Sequence, residues 1–207
     1  MVMAMDLVMG PQGRQWAAAG RKCARRLICL LAIAVTATAA MRAEPRSESR
    51  VDVSESAGVY TVTAAFAVTE PPQTVMAVLT DYARIPKFMP DVQISKVLER
   101  TGASALVEQE AVSRFMLFSK RVHLVLDIVE DAGSIHFRDR CGKSFASYEG
   151  AWIISEHDSV TVIDYQLTAK PSFDVPAFVL KRLLKRDAAQ LIDRLKAEIT
   201  ARADRGR

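Results

Sequence analysis

A long amphipathic helix near the C-terminal end constrains this sequence most. Across residues 176–203 apolar side chains recur at every third or fourth position, and no Gly or Pro follows Pro176 within the run. The apolar positions are Leu180, Leu184, Ala188, Leu191, Leu195 and Ile199. These 28 residues predict a rod about 42 Å long, which can cross a seven-stranded sheet roughly 34 Å wide. The apolar stripe has to be buried, so we expect the helix to pack on the segment before it.

Strand patterns dominate that preceding segment. Seven runs of alternating or mostly apolar residues, separated by short turn signals, predict an antiparallel sheet of consecutive hairpins. The runs are 59–68, 92–100, 106–115, 122–129, 135–140, 145–155 and 160–169. After the first run, Pro71 and Pro72 suit the start of one short helix, and Pro86 keeps a second one short. The pattern predicts an α+β domain over residues 58–205.

The N-terminal segment has the layout of a secretory signal peptide. A basic cluster precedes the apolar stretch 27–35, and small residues continue to Ala40. The apolar stretch is shorter than the ~20 residues of a membrane span. We therefore expect residues 1–40 to be an export signal, residues 41–57 to be a flexible lead-in, and the domain to be periplasmic in a bacterium. An uncleaved leader that anchors the chain to a membrane and a mitochondrial presequence are the alternatives.

The charge of the domain argues against nucleic-acid binding. Residues 44–207 carry 22 basic and 23 acidic side chains, whereas nucleic-acid-binding domains usually have a strong basic field. Only Cys141 follows the leader, so the domain cannot form an intrachain disulfide. No residue spacing predicts a metal site, a cofactor site or a known catalytic motif.

Hairpin register assigns the strand residues to two faces. With even-numbered turns, Phe137 shares the inner face with Tyr148 and Trp152, and Tyr165 joins them from the last strand opposite Gly150. The full inner face predicted from Val107 onward is Val107, Gln109, Ala111, Ser113, Phe115, Val122, Leu124, Leu126, Ile128, Ile135, Phe137, Asp139, Ala146, Tyr148, Gly150, Trp152, Ile154, Thr161, Ile163, Tyr165 and Leu167. The outer face takes the charged residues other than Asp139, and there His136 is expected to pair with Glu149 across the strands.

The order of elements and several local motifs resemble the START-like polyketide cyclase/dehydrase and lipid-transport superfamily. The motifs are VLTDY at 78–82, PKFMP at 86–90, YEGAW at 148–152 and PSFDVP at 171–176. The branch nearest in pattern is the coenzyme Q-binding START-type proteins. The resemblance covers about residues 59–203 and implies a helix-grip fold. In this fold an antiparallel sheet, here of seven strands with two short helices, wraps around the C-terminal helix and leaves an apolar cavity.

The inner face mixes large aromatic with small side chains, as ligand pockets under a covering helix do. A dry core is the other reading of the same composition. With the resemblance, the pattern predicts non-catalytic binding or transport of a hydrophobic lipid-like, isoprenoid or quinone ligand. The predicted cavity residues are Gln109, Ser113, Phe115, Leu126, Phe137, Tyr148, Trp152, Tyr165, Leu180, Leu184 and Leu191.

Two other functions stay open at this stage. Cyclases of the superfamily can use cavity tyrosines and carboxylates, so Tyr148, Tyr165 and Asp139 are the candidates if the protein is an enzyme. No inward histidine is predicted to serve as a general base. The other alternative is an interaction module whose cavity its own side chains fill. Transient contact with a membrane surface is a further expectation, based on a basic cluster at the start of the long helix, namely Lys181, Arg182, Lys185 and Arg186.

Overall fold

The computed structural model describes residues 49–115 and 118–206, with the side chains of 113–118 left out. The predicted signal peptide, 1–40, lies outside the described residues. The described part is an antiparallel sheet with a long helix, as predicted. Its strands are β1 Arg50–Ser56, β2 Val59–Val68, β3 Val92–Thr101, β4 Ser104–Phe115, β5 Phe118–Asp131, β6 Ser134–Asp139, β7 Phe145–His157 and β8 Val160–Pro171; its helices are α1 Pro72–Leu79, α2 Ile85–Phe88 and α3 Ala177–Arg205, with a 3-10 turn at Tyr82–Arg84.

The sheet has eight strands in the order β1-β2-β8-β7-β6-β5-β4-β3. Seven strands were predicted, and the additional one is β1, which lies in the polar segment interpreted as a lead-in. Its valines, Val51 and Val53, pack against the core. A two-residue turn joins β1 to β2, with φ of 51° at Ala57 and 76° at Gly58, as hairpin turns that match the strand twist require. The serine- and acid-rich sequence of β1 concealed this edge strand.

Helix α3 starts directly after Pro176 and closes the inner face of the sheet. Its buried residues are Leu180, Ala188, Ile192, Leu195 and Ile199. The predicted apolar stripe omitted Ile192, which has no exposed surface. Leu184 and Leu191, which the stripe included, are only partly buried against the core. Within the described residues, no helix combines the length and the apolar character that a membrane crossing requires.

The β7–β8 hairpin differs from its predicted register by two residues. Gly150 lies opposite Leu167, and Tyr165 lies opposite Trp152. The predicted pairing of Gly150 with Tyr165 is therefore wrong. The turn consists of Asp158 and Ser159, both with positive φ. The predicted register assumed a turn at His157 and Asp158. Because the side-chain period of a strand is two, this displacement leaves every residue on its predicted face.

Ala146 is a second correction, caused by a β-bulge at the start of β7. Phe145 lies opposite Pro171 and Ser147 lies opposite Lys170, so β7 has one additional residue there. A bulge reverses the faces of the residues beyond it. As a result Ala146 is exposed, and Phe145, only 8% exposed, takes the inward position.

The predicted outer-face pair of His136 with Glu149 is also wrong. Glu149 lies opposite Arg138, and its Oε2 is 3.0 Å from the Arg138 Nε. His136 lies opposite Ala151 instead. The β6–β7 register is again displaced by two residues. Each residue therefore stays on its predicted face, but its cross-strand partner differs from the predicted one.

Candidate ligand cavity

An apolar cavity of about 640 Å³ lies between the inner face of the sheet and helix α3. Helix α1, the 3-10 turn and helix α2 complete its wall through Val78, Tyr82 and Phe88. This volume lies in the range of protein sites that enclose small molecules. Since the side chains leave this space open, the structure does not have the filled interior of the interaction-module alternative.

Nine of the eleven residues predicted for the cavity line it. They are Gln109, Leu126, Phe137, Tyr148, Trp152, Tyr165, Leu180, Leu184 and Leu191. The side chains of the other two, Ser113 and Phe115, lie outside what the structure describes. The part played by these residues in ligand binding stays a prediction.

Phe145 and Phe173 are among the aromatic residues of the wall that sequence reasoning missed. Phe145 was not predicted to line the cavity because an alternation pattern does not reveal a β-bulge. Phe173 lies in the connection between β8 and α3, where strand and helix periodicities both end. The available signal was a lone aromatic residue among the polar and proline residues of 171–176.

Six aromatic rings form a continuous row along the cavity wall, which we call the aromatic row. In order they are Trp152, Tyr165, Phe137, Tyr148, Phe145 and Phe173, with successive ring centres 4.3, 6.5, 5.9, 4.9 and 6.2 Å apart. These distances fall within or near the range of favourable aromatic pairs. At the Phe173 end the ammonium group of Lys120, an exposed residue, lies 4.6 Å from the ring centre. The Phe173 end of the row therefore lies beside a charged, solvent-exposed side chain.

Two tyrosines of the aromatic row, Tyr148 and Tyr165, influence each other's ionisation. The apolar surroundings raise both pKa values, and each phenol contributes to the shift of the other. Burial raises the pKa of Tyr148 to about 12; the hydrogen bond to Tyr165 opposes this rise and the charge of Asp139 adds to it. Tyr148 retains some accessible surface because it borders the cavity. Both phenols are therefore neutral near pH 7 and act as hydrogen-bond donors, not as bases.

Asp139, the carboxylate named for the enzyme alternative, serves the β6–β7 connection. Its Oδ1 accepts hydrogen bonds from the backbone N–H groups of Val125 at 2.9 Å and Cys141 at 3.2 Å. Its Oδ2 accepts one from Gly142 at 2.9 Å. It is absent from the residues that line the cavity. The Asp139 carboxylate therefore stabilises the backbone of the turn after β6.

Charged side chains gather where the cavity meets solvent. Arg194 of α3 forms an ion pair with Asp91, with Nη1 2.9 Å from Oδ2, and both side chains border the cavity. Arg186 and Asp187, one position apart on α3, form another at 2.6 Å. The described residues contain no group of three or more His, Cys, Asp or Glu side chains arranged to hold a metal ion. The site thus consists of an apolar interior and a charged rim.

The comparisons with known proteins agree with this geometry. The sequence profile of a family described as "Polyketide cyclase / dehydrase and lipid transport" matches residues 68–196. No curated protein matches the sequence.

Among solved structures, a START superfamily protein from Mycobacterium smegmatis has a TM-score of 0.59 at 16% identity, covering 68% of this chain and 97% of that one. The Zhui aromatase/cyclase from Streptomyces sp. R1128 has a TM-score of 0.61 at 14% identity, with coverage of 70% and 96%. A STAR-related lipid transfer protein from Xanthomonas axonopodis has a TM-score of 0.56 at 14% identity, with coverage of 72% and 98%. These likenesses show the helix-grip fold.

Proposed function

Because this chain belongs to the polyketide cyclase/dehydrase and lipid-transport family, whose members bind lipids or act as cyclases, we propose that it binds and carries a hydrophobic small molecule without transforming it. The observation that carries the proposal is the apolar cavity of about 640 Å³ between the sheet and α3. A ligand that buries about 300 Å² of apolar surface there gains roughly 7.5 kcal/mol before the costs of association. Apolar burial therefore supplies the main favourable contribution to binding.

Within this class our narrower proposal is a lipid-like molecule with an isoprenoid or quinone character. The aromatic row supports it, because flat or unsaturated groups pack well against such rings. The pattern resemblance to coenzyme Q-binding proteins is the second reason. The ligand is expected to enter tail or ring first, with its most polar end near the rim.

The direct test is the identity of what the protein retains. The protein is purified from its own host under native conditions, and bound molecules are identified by native mass spectrometry and by organic extraction. A co-purifying apolar molecule in stoichiometric amount is the expected result. If nothing co-purifies and a neutral apolar dye, N-phenylnaphthylamine, also fails to bind, the carrier proposal is wrong.

The catalytic alternative uses the same tyrosines in a cyclase-like role. Tyr148 and Tyr165 can donate protons or hydrogen bonds, but the raised pKa values oppose a role as base. The carboxylate of Asp139 is held by backbone N–H groups. Turnover of a poly-β-ketone substrate that is lost in Tyr148→Phe would establish the enzyme and displace the carrier proposal.

A membrane surface is the proposed place of loading and release. Phe178, at the start of α3, is 76% exposed. The exposed basic residues Lys181, Arg182 and Lys185 follow it along the same helix. An exposed aromatic residue beside several cations suits an interface of anionic lipids. We further propose, from the leader-like N-terminal sequence, that the protein is exported to the periplasm, which N-terminal sequencing of the mature protein tests.

A further inference from the structure

The connection between β8 and α3, residues 172–176, places one aromatic ring at the border of the cavity. Phe173 lines the cavity, and its ring meets the Phe145 ring edge-on, with ring centres 6.2 Å apart. A second partner is the Lys120 ammonium group, which lies 4.6 Å from the centre of the Phe173 ring. Lys120 is exposed and Phe173 is partly exposed. The Phe173 ring therefore lies between an apolar partner and a solvent-exposed cation.

The contact of Lys120 with Phe173 joins two walls of the cavity. Lys120 lies near the start of β5, and both residues line the cavity. Phe173 belongs to the connection that leads directly into α3, which forms the opposite wall. This connection leaves the sheet at Ser172, whose N–H donates to the Ser144 backbone oxygen at 3.1 Å. The Lys120 side chain thus helps to hold the segment before α3 against the strands.

The contact is weak enough for Lys120 to exchange it for another partner. An exposed cation over an aromatic ring and a lysine beside an anionic membrane are stabilised by comparable free energies. The proposed membrane-docking residues begin at Phe178, which is at most roughly 18 Å along the chain from Phe173. Docking through Phe178 and the exposed Lys181 and Arg182 therefore brings anionic head groups within reach of the Lys120 side chain.

We propose that the contact between Lys120 and Phe173 is a latch that an anionic phospholipid surface opens. In water the ammonium group stays on the ring, and the rim of the cavity is held closed at this end. At the membrane the lipid phosphates attract Lys120, Phe173 loses this partner, and the ligand exchanges faster. The inference rests on the proposed carrier function and on docking through the start of α3, and it adds the contact that controls release.

Release of N-phenylnaphthylamine into vesicles of two compositions tests the latch. The full chain is loaded with the dye and mixed with phosphatidylcholine vesicles or with vesicles that also contain phosphatidylglycerol. Both kinds of vesicle carry the same amount of nitroxide-labelled lipid, which quenches dye that has entered the bilayer. Wild type is expected to release the dye roughly fivefold faster into the anionic vesicles, because loss of one exposed cation–π contact changes the open population by about that factor.

Two variants remove the latch in different ways. Lys120→Met removes the cation, whereas Phe173→Leu removes the ring and retains every cation of the docking surface. Both should release the dye into neutral vesicles roughly two- to fivefold faster than wild type, and the ratio of the anionic to the neutral rate should fall toward one. Lys120→Arg keeps a cation for the ring and should behave like wild type.

The matched control is Lys96→Met, which removes an exposed cation from β3. Lys96 is absent from the residues that line the cavity, so the rates and their ratio should equal those of wild type. If Lys96→Met loses the acceleration as Lys120→Met does, net charge causes the effect and the latch is overturned. A wild-type ratio in Phe173→Leu overturns it as well.

Three further outcomes separate the latch from the functions on which it rests. If the dye does not bind wild type, the carrier function and the latch are both wrong. If the dye binds but the protein does not sediment with anionic vesicles, the docking surface and the latch are wrong while the carrier function stands. If the protein sediments and wild type releases the dye equally fast into both kinds of vesicle, the latch alone is overturned.

Discussion

Arg194 of helix α3 is joined to Asp91, which directly precedes strand β3, by an ion pair of 2.9 Å at the border of the cavity. The two side chains are 31% and 47% exposed, so the pair lies where the cavity meets solvent. An ion pair this exposed contributes at most about 1 kcal/mol. The ion pair connects the helix to the opposite wall of the cavity. It therefore has to break if a ligand enters or leaves at this point.

We expect Arg194→Met to accelerate ligand exchange with little effect on stability. Loss of about 1 kcal/mol at the rim corresponds to roughly fivefold faster release of N-phenylnaphthylamine, measured by stopped-flow fluorescence. The control is Arg138→Met, which removes an ion pair of similar length, 3.0 Å to Glu149, from the outer face. Equal release rates in all three proteins would show that ligands do not pass this pair.

Two alanines test which face of the sheet encloses the ligand. Ala111 of β4 borders the cavity, whereas Ala146 of β7 is exposed because of the bulge. Ala111→Trp should therefore fill part of the cavity and reduce binding of the dye and of any native ligand by at least about tenfold, since the indole occupies ligand space. Ala146→Trp should leave binding unchanged. Equal binding by both variants in an equilibrium titration would place the ligand elsewhere.

The contrast between these alanines also shows how far sequence reasoning extends for this fold. Alternation assigned Tyr148, Trp152 and Tyr165 to the inner face correctly, although two hairpins are displaced by two residues, because an even displacement preserves the face. A one-residue bulge is an odd displacement and therefore reverses the face. For this reason Phe145, and not Ala146, points inward. Bulges leave no periodic signal, so alternation alone does not reveal them.

The cavity itself was predictable only through the family resemblance. The same inward residues can form either a dry core or a cavity wall. Which of the two forms depends on the distance between α3 and the sheet. Leu184 and Leu191 illustrate this: they belong to the apolar stripe, yet they are partly buried and line the cavity. Ile192, outside the predicted stripe, is fully buried. A stripe predicts which side of a helix is apolar, not which of its residues leave a gap.

Gly150 permits close packing at the centre of the aromatic row. A Cβ at this position would overlap the backbone oxygen of Gln166 and lie 2.5 Å from the Phe137 ring. Gly150→Ala should lower the free energy of unfolding by about 2–3 kcal/mol, because a backbone oxygen cannot move aside cheaply. The control, Gly206→Ala, meets its nearest atom at 3.6 Å and should change stability by less than about 0.5 kcal/mol. Urea denaturation measures both; equal stabilities would contradict the predicted overlap.

Removal of the three exposed members of the basic cluster on α3 should weaken membrane binding. The simultaneous change of Lys181, Arg182 and Lys185 to Ala removes three exposed cations near Phe178. Each cation near an anionic surface contributes about 1 kcal/mol, so loss of three should weaken binding to phosphatidylglycerol vesicles by roughly 100-fold. Added salt should weaken wild-type binding in the same direction. Vesicle sedimentation measures these affinities.

The matched control for the basic cluster removes three exposed cations from the sheet side of the domain. Lys96, Arg138 and Arg140 are exposed residues of β3, β6 and the segment after β6. Changing these to Ala alters the net charge by the same amount without touching α3. If this control loses as much vesicle binding as the α3 variant, the attraction is a net-charge effect and not a docking surface.

The raised pKa of Tyr148 predicts a loss of stability at alkaline pH. The folded-state pKa is about 12 and the ordinary value is 10.0, so the unfolded chain loses this proton first as pH rises. The stabilising contribution of the neutral phenol is therefore complete below about pH 10 and declines by up to about 1.4 kcal/mol per pH unit until pH approaches 12. Guanidinium unfolding of wild type and Tyr148→Phe between pH 9 and 12 measures this contribution together with the coupling to Tyr165, since groups that do not interact with Tyr148 titrate equally in both. The free energy of unfolding should fall less steeply in the variant; parallel curves would mean that the Tyr148 hydroxyl is not held in an apolar site.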